Sequence, residues 1–405
     1  MMTGFRRERG AADAGAPDSV RMSPADAGPA GRAGMLRVGA LAGVALLLAG
    51  CGGGPAAQPA PDSPGAPAGS ASPEPDGFSV AATGDVLIHP RLTDQAKADG
   101  GGTIDYRRLL AGVKPVVSGA DLGICHLETP LAPEGGPYHG YPSFSAPPEI
   151  ADALRDTGYD TCSTASNHTL DQGTSGVTRT LDKLDETGLK HTGSARSSEE
   201  AAKPLILDVH GVKVAQLSYA FGFNGIERPA GKPWLANEID ADEILAAAHA
   251  AKQAGAEVVI ASMHWGVEYH HEVTDEQQQL AEKLLASPDL DLIIGHHAHV
   301  VQPFAKVEGK WVAFGLGNEV ARHDEPRGST EEGVAARFHF TRAGGHWSVD
   351  RAEYLPTLID LGPPIRLRDL TAAPPTPRGQ EALSNTDKVV LSRDAGDEGL
   401  TRPGR

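Results

Sequence analysis

Short apolar runs alternate with amphipathic segments along residues 78–371 of the 405-residue chain. The apolar runs predict strands at 78–83, 121–126, 159–164, 203–209, 212–219, 257–262, 290–294, 310–315 and 333–340. The amphipathic segments predict helices at 106–117, 148–157, 176–187, 239–254 and 275–286. This alternation indicates an α/β domain, and the strand-rich later part favours layered sheets over a single Rossmann sheet. The chain has neither a GxGxxG nor a Walker A motif, so nucleotide-cradling loops of those types have no support.

Side chains that commonly bind metals follow five of the predicted strands. They are Asp85, His126, Glu128, Asn167, His168, His264, His296, His297 and His299. The carboxyl ends of strands in an open α/β sheet form the ligand crevice, so we expect these side chains to lie close together. Imidazole with carboxylate suits Zn, Mn or Fe, and so many groups suit two neighbouring ions better than one. Singly, simpler interpretations exist: Asp85 as a helix cap, Asn167 as a turn residue, or His264 as a hydrogen-bonded core residue.

The chain is strongly acidic, with 36 basic and 53 acidic residues and a formal net charge of −17. Such acidity argues against a nonspecific nucleic-acid surface and against electrostatic adhesion to anionic lipid. We therefore expect no nucleic acid partner. An acidic protein that handles an anionic substrate needs local positive charge, and bound metal ions supply it.

Residues 1–50 are interpreted as an N-terminal extension and a lipoprotein signal peptide. Arg37 precedes an apolar run at 38–49, which is shorter than the ~20 residues of a spanning helix but typical of a signal peptide. The run ends in Leu48-Ala49-Gly50-Cys51, which resembles the bacterial lipobox and its lipidated cysteine. The alternative is an ordinary signal peptide with an incidental cysteine. Residues 51–77, rich in Pro and Gly, are interpreted as a lipid-anchored tether, which predicts a protein held by Cys51 on the extracytoplasmic face of the cell membrane.

The other two cysteines and the C-terminal region carry weaker patterns. Cys125 and Cys162 lie in predicted strands; an oxidising compartment permits a disulfide between them, but the sequence favours two buried, small apolar side chains. Residues 354–360 predict an edge strand, because Pro356 has no N–H for a ladder hydrogen bond. Residues 372–405 are interpreted as a partly disordered tail beyond the folded domain 78–371, with a helix at 381–392.

Six motifs contain the residues that commonly bind metals. In chain order they are Thr83-Gly84-Asp85; Asp121 through His126-Leu127-Glu128; Ala165-Ser166-Asn167-His168 with Leu170-Asp171-Gln172-Gly173; His264-Trp265-Gly266-Val267-Glu268-Tyr269; Gly295-His296-His297-Ala298-His299 through Pro303; and Gly315-Leu316-Gly317-Asn318. The ordered set, spanning about residues 79–357, resembles the CapA family of poly-gamma-glutamate capsule synthesis proteins, a branch of the calcineurin-like metallophosphoesterases. Three features depart from the family pattern. His126 and Ser166 each stand where the family usually has Asn, and Gly315 and Glu319 stand where it usually has Ser and Phe.

The resemblance implies a four-layer αββα sandwich of the metallophosphoesterase type, with divalent metal ions at the strand ends. By position it implies six ligands: Asp85, Glu128, Asn167, His264, His297 and His299. His168 would be the general acid for the leaving group. His126 could add a ligand, and His296 could replace His297, because the register of the three histidines is ambiguous. Glu268 and Asn318 would contact the ligands or the substrate, or have structural roles.

These features support two hypotheses about function. The first is an extracytoplasmic metal-dependent hydrolase, with two ions of Mn, Zn or Fe, that acts on an anionic cell-surface polymer or on a phosphoester or amide substrate. The second is a non-catalytic accessory protein for the synthesis or export of poly-gamma-glutamate or a capsule polymer, within a capsule synthesis complex. A metal-binding surface protein without turnover is a weaker third hypothesis, because such a protein has no use for His168 as a general acid.

Overall fold

A computed structural model describes residues 77–404. The predicted signal peptide, Cys51 and the predicted tether up to residue 76 lie outside the described residues. The strands are β1 (Gly77–Val86), β2 (Leu122–Leu127), β3 (Thr161–Ser163), β4 (Lys190–Thr192), β5 (Leu205–Val209), β6 (Val212–Ala220), β7 (Val258–His264), β8 (Leu292–His296), β9 (Phe304–Val307), β10 (Lys310–Ala313), β11 (Asn318–Val320), β12 (Glu332–Ala343), β13 (His346–Asp360), β14 (Arg366–Asp369) and β15 (Leu400–Thr401). The helices are α1 (Pro90–Asp99), α2 (Arg107–Leu110), α3 (Lys114–Val117), α4 (Glu149–Thr157), α5 (Gly173–Thr187), α6 (Ser198–Ala201), α7 (Ala241–Gln253), α8 (Asp275–Leu285) and α9 (Pro377–Val390).

The strands form two sheets. The first has the order β14-β13-β12-β1-β2-β3-β4, with β11 beside β1 and β15 beside β13. The second has the order β5-β6-β7-β8-β10-β9. Strands β1 to β4 are parallel to one another, as are β6, β7 and β8. The parallel strands therefore deliver the residues at their carboxyl ends to one edge of each sheet.

Apolar side chains divide the domain into four layers. Val258 and Ile260 of β7 face the core between the two sheets, together with Val80 of β1. Their neighbours Val259 and Ala261 face the opposite way and pack against α7 and α8. Helices α1, α2, α4 and α5 cover the outer face of the first sheet. Successive residues of a strand point to opposite faces of the sheet. Each continuous apolar strand therefore contributes side chains both to the core between the sheets and to the core under the helices. The predicted αββα sandwich is confirmed.

Two predicted helix ends match the structure, and one predicted helix is divided. Gly158 and Gly188 end α4 and α5 with left-handed backbone angles, φ 111° and 80°, which glycine adopts without steric cost. The predicted helix at 106–117 is two short helices, α2 and α3. Pro115 lies in the first turn of α3, where its missing N–H costs no hydrogen bond, but it cannot continue the hydrogen-bond ladder from α2.

The C-terminal segment is folded, so the prediction of a partly disordered tail at 372–405 was wrong. Helix α9 begins at Pro377 after Thr376, whose side chain caps the helix. The hydroxyl of Tyr354 donates a hydrogen bond to Asp387 of α9 at 2.8 Å. Strand β15 pairs with β13. The prolines that suggested disorder precede and open a helix, where proline is favoured.

Strand β13 is internal, so the predicted edge strand at 354–360 was also wrong. Pro356 pairs with Val334 of β12 on one side. On the other side, β15 ends its pairing at Glu353 and β14 begins at Thr357. The carbonyl of Pro356 accepts the N–H of Leu370 on this second side. The N and O atoms of a strand residue point toward the same neighbouring strand. The nitrogen of Pro356, which has no N–H, therefore points to the side where β15 has ended and β14 is only beginning, so no ladder hydrogen bond is lost.

Cys125 and Cys162 form a disulfide, contrary to the favoured prediction of two separate thiols. Both side chains are buried, as predicted. They are opposite each other in the parallel pair of β2 and β3, a register that could not be derived from the sequence spacing alone. Within residues 77–404, none of the helices has the length and apolar character needed to cross a bilayer.

Candidate metal centre

The predicted site residues converge where the parallel strands of both sheets end. Asp85 lies near the end of β1, His126 in β2, and His264 and His296 end β7 and β8. Loop residues directly beyond the strands add Glu128, Asn167, His168, His297 and His299, all of which are buried. The backbone N–H of His297 donates to Asp85 Oδ2 at 3.1 Å, which joins the loop after β8 to β1. The expected clustering at the strand ends is therefore observed.

Asp85 is the central carboxylate of the cluster. Its Oδ1 lies 3.2 Å from His296 Nδ1, and its Oδ2 lies 3.3 Å from His299 Nδ1. Burial opposes ionisation, but the hydrogen bonds with His296 and His299 hold the pKa of Asp85 well below its usual range. Asp85 is thus an anion that contacts residues from both sheets.

Glu128 and His299 form a second buried contact. Both carboxyl oxygens of Glu128 are buried without a hydrogen-bond partner, and Oε1 lies 3.7 Å from His299 Nε2. Burial raises the pKa of Glu128. Burial alone would lower the pKa of His299, but the neighbouring carboxylates of Glu128 and Asp85 raise it to about 10. Asn318 Oδ1 lies 2.9 Å from His299 Nδ1, so Asn318 orients this imidazole.

Three further residues form a hydrogen-bonded chain on the other side of Asp85. His126 Nε2 lies 2.9 Å from His264 Nδ1, and His264 Nε2 lies 3.0 Å from Asn167 Oδ1. Ser163 Oγ lies 2.8 Å from His126 Nδ1. Burial and the adjacent histidines lower the pKa of both His126 and His264 far below the usual value. Both rings are therefore neutral, which is the form of imidazole that binds metals.

The donor atoms fall into three groups in which one ligand atom per residue lies within 4.8 Å of the others. The groups are Asp85, His126 and His264; Asp85, Glu128 and His299; and Glu268, His297 and His299. Asp85 belongs to two of them. Buried carboxylate oxygens without partners are costly unless a cation compensates them, and Glu128 has two. The carboxylate and imidazole donors fit a divalent transition metal.

The structure distinguishes the three consecutive candidates after β8. His296 contacts Asp85, and its ring stacks on the ring of His126 at a centroid distance of 4.0 Å. His297 has a buried Nδ1 without a partner and lies within the group that contains Glu268. His297 and His299 have positive φ angles of 89° and 55°, which are costly for residues other than glycine and recur at functional sites. The role of each histidine as a ligand stays a prediction.

His168 lies beside the cluster, next to Asn167. Its Nδ1 lies 2.7 Å from Asp171 Oδ2, and both side chains are almost fully buried. Asp171 Oδ2 also accepts the backbone N–H of Phe144 at 2.7 Å, and the Phe144 ring packs edge-on against His168. Asp171 therefore fixes the imidazole with Nε2 left for proton transfer.

Several residues of the site carried no role in the sequence-based prediction. Asp171 lies three residues after His168 in a motif already noted, so that spacing was an available signal. Phe221, which is 48% exposed, packs against the His297 ring at 4.5 Å. Asn224 accepts a hydrogen bond from Asn167 Nδ2 at 3.3 Å. Phe221 and Asn224 lie in the loop after β6, which showed no recognisable motif.

Comparison with known proteins identifies the family to which this chain belongs. The sequence profile described as "Bacterial capsule synthesis protein PGA_cap" matches residues 79–323, which is more than half of the chain, and the protein belongs to this family. It is 29% identical over 203 residues to the PGA biosynthesis protein CapA of Bacillus subtilis, covering 48% of this chain and 51% of that protein. It is 27% identical over 204 residues to the capsule biosynthesis protein CapA of Bacillus anthracis, covering 50% and 49%. The matches thus span about half the length of these curated relatives.

A third relative and two solved structures extend the comparison. The probable polyglutamine synthesis accessory protein of Mycobacterium tuberculosis is 27% identical over 214 residues, covering 49% of this chain and 55% of that protein. The NAD nucleotidase of Haemophilus influenzae aligns with a TM-score of 0.43 at 11% identity, covering 80% of this chain and 64% of that one. The calcineurin-like phosphoesterase YfkN of Bacillus subtilis aligns with a TM-score of 0.40 at 15% identity, covering 78% and 98%.

Proposed function

We propose that this protein is an extracytoplasmic hydrolase that depends on two divalent metal ions. The observation that carries the proposal is the position of Asp85, whose carboxylate is shared by two groups of potential ligands. A carboxylate between two donor sets is suited to bridge two ions. The partnerless oxygens of Glu128 on one side and the neutral His264 on the other support occupancy of both.

In this proposal, Asp85, Glu128 and His299 would hold one ion, and Asp85, His264 and Asn167 would hold the other, with His126 as an additional donor. His297 and Glu268 lie close enough to His299 to contribute as well. When bound, Mn, Zn or Fe would polarise the scissile group and lower the pKa of a water nucleophile. Asn318 would keep His299 in its orientation, as a partner behind a metal ligand does.

His168 would donate a proton to the leaving group. The carboxylate of Asp171 lies 2.7 Å from Nδ1 and holds the ring in place, which leaves Nε2 as the nitrogen for proton transfer. Phe144 limits rotation of the ring from the other side. This pair does not belong to any of the three potential ligand groups among the described residues, which fits a role in proton transfer.

The substrate we propose is an anionic cell-surface polymer, or another phosphoester or amide. The net charge of −17 leaves such a substrate few attractive surfaces other than a cationic centre. The names of the relatives, which refer to capsule and PGA biosynthesis, support a cell-surface polymer. The apolar run before Cys51 supports a lipid anchor that would hold the domain at the membrane.

A non-catalytic role is the second candidate. The Mycobacterium tuberculosis relative is named a polyglutamine synthesis accessory protein, which favours a protein that binds the polymer during synthesis or export within a capsule synthesis complex. The buried pair of His168 and Asp171 favours the hydrolase, because polymer binding alone does not need an oriented proton donor.

Metal content per chain tests the proposal. We expect the full chain, loaded with Mn, Zn or Fe and then desalted, to retain close to two ions by elemental analysis. Asp85→Asn should lose both, because it weakens a shared ligand, whereas His249→Ala should lose none, because His249 is exposed and pairs with Asp289. Hydrolysis of generic phosphodiester and γ-glutamyl amide substrates is then measured on the loaded protein. A wild-type chain that retains no ion would refute the proposal; retained ions without hydrolysis would favour the accessory role.

A further inference from the structure

The loop formed by residues 321–328, between β11 and the turn that leads into β12, carries two arginines without acidic partners. Arg322 uses Nη1 to contact the carbonyl oxygen of His323, and its buried Nε has no hydrogen-bond partner. Arg327 is exposed, and its guanidinium carbon lies 3.9 Å from the centre of the Tyr269 ring. Within residues 77–404, neither arginine forms an ion pair, and Asp324 of the same loop is paired with Arg91 instead.

Most arginines among the described residues form ion pairs, and the exceptions besides Arg322 and Arg327 include Arg108 and Arg179, which lie on helices of the outer layer. Among the paired arginines, Arg107, Arg196 and Arg366 each lie within 3 Å of an aspartate oxygen. With 53 acidic against 36 basic residues, nearby carboxylates are abundant. What distinguishes Arg322 and Arg327 is that both lie in one loop, that neither pairs with a carboxylate of the described residues, and that this loop contacts Tyr269 and His299.

The loop lies directly beside the candidate metal centre. The His323 ring is 5.7 Å from the His299 ring, and the Tyr269 ring is 6.1 Å from it. The backbone N–H of Tyr269 donates to the carbonyl of Ala298 at 2.7 Å, which fixes Tyr269 to the histidine loop. Stacking on Tyr269 therefore holds Arg327 one aromatic ring away from a predicted metal ligand.

We propose that Arg322 and Arg327 form an anion subsite that binds a second acidic group of the substrate, one repeat unit away from the bond at the metal centre. This inference rests on the proposed function, because it takes the metal centre as the place of reaction. Guanidinium binds carboxylate and phosphate through paired hydrogen bonds, so the shared chemistry is an oligomeric chain with an oxyanion on each repeat. Such a substrate would bridge the ions and the arginines, whereas a single anionic unit would contact only one of them.

Calorimetric binding to the metal-loaded full chain tests the subsite with two kinds of oligomer. The probes are a γ-glutamate trimer and a glycerol phosphate trimer, each beside its monomer. We expect Arg327→Gln and Arg322→Gln each to weaken trimer binding by about three- to tenfold, the range of a partly exposed charge-assisted contact. Monomer binding should change less than trimer binding, and Arg327→Lys should recover part of the loss because it keeps the charge.

Arg108→Gln is the matched control, since Arg108 is an exposed arginine on α2 in the outer helical layer. Loss with only one kind of trimer identifies carboxylate or phosphate as the bound group. Unchanged trimer binding in both arginine variants, or an equal loss in Arg108→Gln, would overturn the subsite. Metal content measured on the same samples separates the two proposals: trimer binding that depends on Arg327 in a chain without retained ions would refute the hydrolase but not the subsite.

Discussion

Glu319 is a buried acid whose protonation should make stability depend on pH. It lies in β11, and the hydroxyl of Tyr159 donates to its Oε1 at 3.0 Å while Oε2 has no partner. The Tyr159 oxygen also lies 2.7 Å from Thr83 Oγ1. Burial raises the pKa of Glu319 from 4.5 to about 8, because the loss of hydration outweighs the hydrogen bond from Tyr159. We therefore expect a protonated, neutral Glu319 in the folded protein at neutral pH.

The direction of the pH dependence of stability follows from which state of the protein, folded or unfolded, binds more protons at Glu319. Between pH 4.5 and about 8 the unfolded chain has lost the Glu319 proton and the folded protein retains it. Stability therefore falls as pH rises through this window, by about 1.4 kcal/mol per pH unit for one group. Across the window the loss reaches a few kcal/mol, roughly 5 at most. Above pH 8 both states are ionised, and the loss is complete.

Glu319→Gln removes this titration and keeps a neutral side chain of similar size. We expect urea unfolding, with chelator present, to give similar stabilities for the variant and the wild type near pH 5. At pH 8 the variant should be more stable by a few kcal/mol. Glu186→Gln, an exposed position on α5, should show no such pH-dependent difference. Parallel stability profiles for Glu319→Gln and the wild type from pH 5 to 8 would refute the reasoning.

Three further predictions concern the candidate site and its support. Replacing both Cys125 and Cys162 by serine should lower the free energy of unfolding by about 4 kcal/mol, the entropic value for a separation of 37 residues; a loss below about 1 kcal/mol in urea unfolding would contradict it. Asp171→Asn should lower kcat about 100-fold with unchanged metal content, because His168 loses its orienting charge; loss of bound metal would contradict that role. Because the carboxylates beside His299 outweigh its burial and raise its pKa to about 10, metal binding should release at least one proton, and the metal affinity should fall about tenfold for each unit by which the pH lies below about 10. Calorimetry in buffers of different ionisation heats measures that release, and an affinity independent of pH would exclude it.

The fold was predictable because its signals are local. The apolar run of β7 is continuous, since Val258 and Val259 face different cores, and glycines at 158 and 188 end two helices. Strand pairing is not local. Nothing in the sequence spacing specifies that β12 pairs antiparallel with β1, or that β15 adds to β13. The C-terminal region was misjudged for the same reason: its elements are stabilised by β12 and β13, not by their own composition.

The clustering of the candidate site was predictable for a topological reason, and its internal contacts were not. Parallel strands bring their carboxyl ends together whatever the sequence separation, so Asp85 and His264 could be expected to meet. The hydrogen bond between His126 and His264 joins positions 138 residues apart. It forms only because the two sheets pack face to face in this orientation. Likewise, no sequence motif links Tyr269 with Arg327, so the stacking of the Arg327 guanidinium on the Tyr269 ring could not be predicted.

His126 shows how one unusual residue fits such a centre. In place of the usual asparagine, its imidazole reaches His264 through Nε2 and Ser163 through Nδ1. His126 and Ser163 are register partners in β2 and β3, and the disulfide joins the preceding residue pair, Cys125 and Cys162. The covalent link therefore fixes the strand register on which the His126–Ser163 contact depends. Both ring nitrogens of His126 therefore have partners, and this neutral imidazole is held in one orientation beside Asp85 and His264.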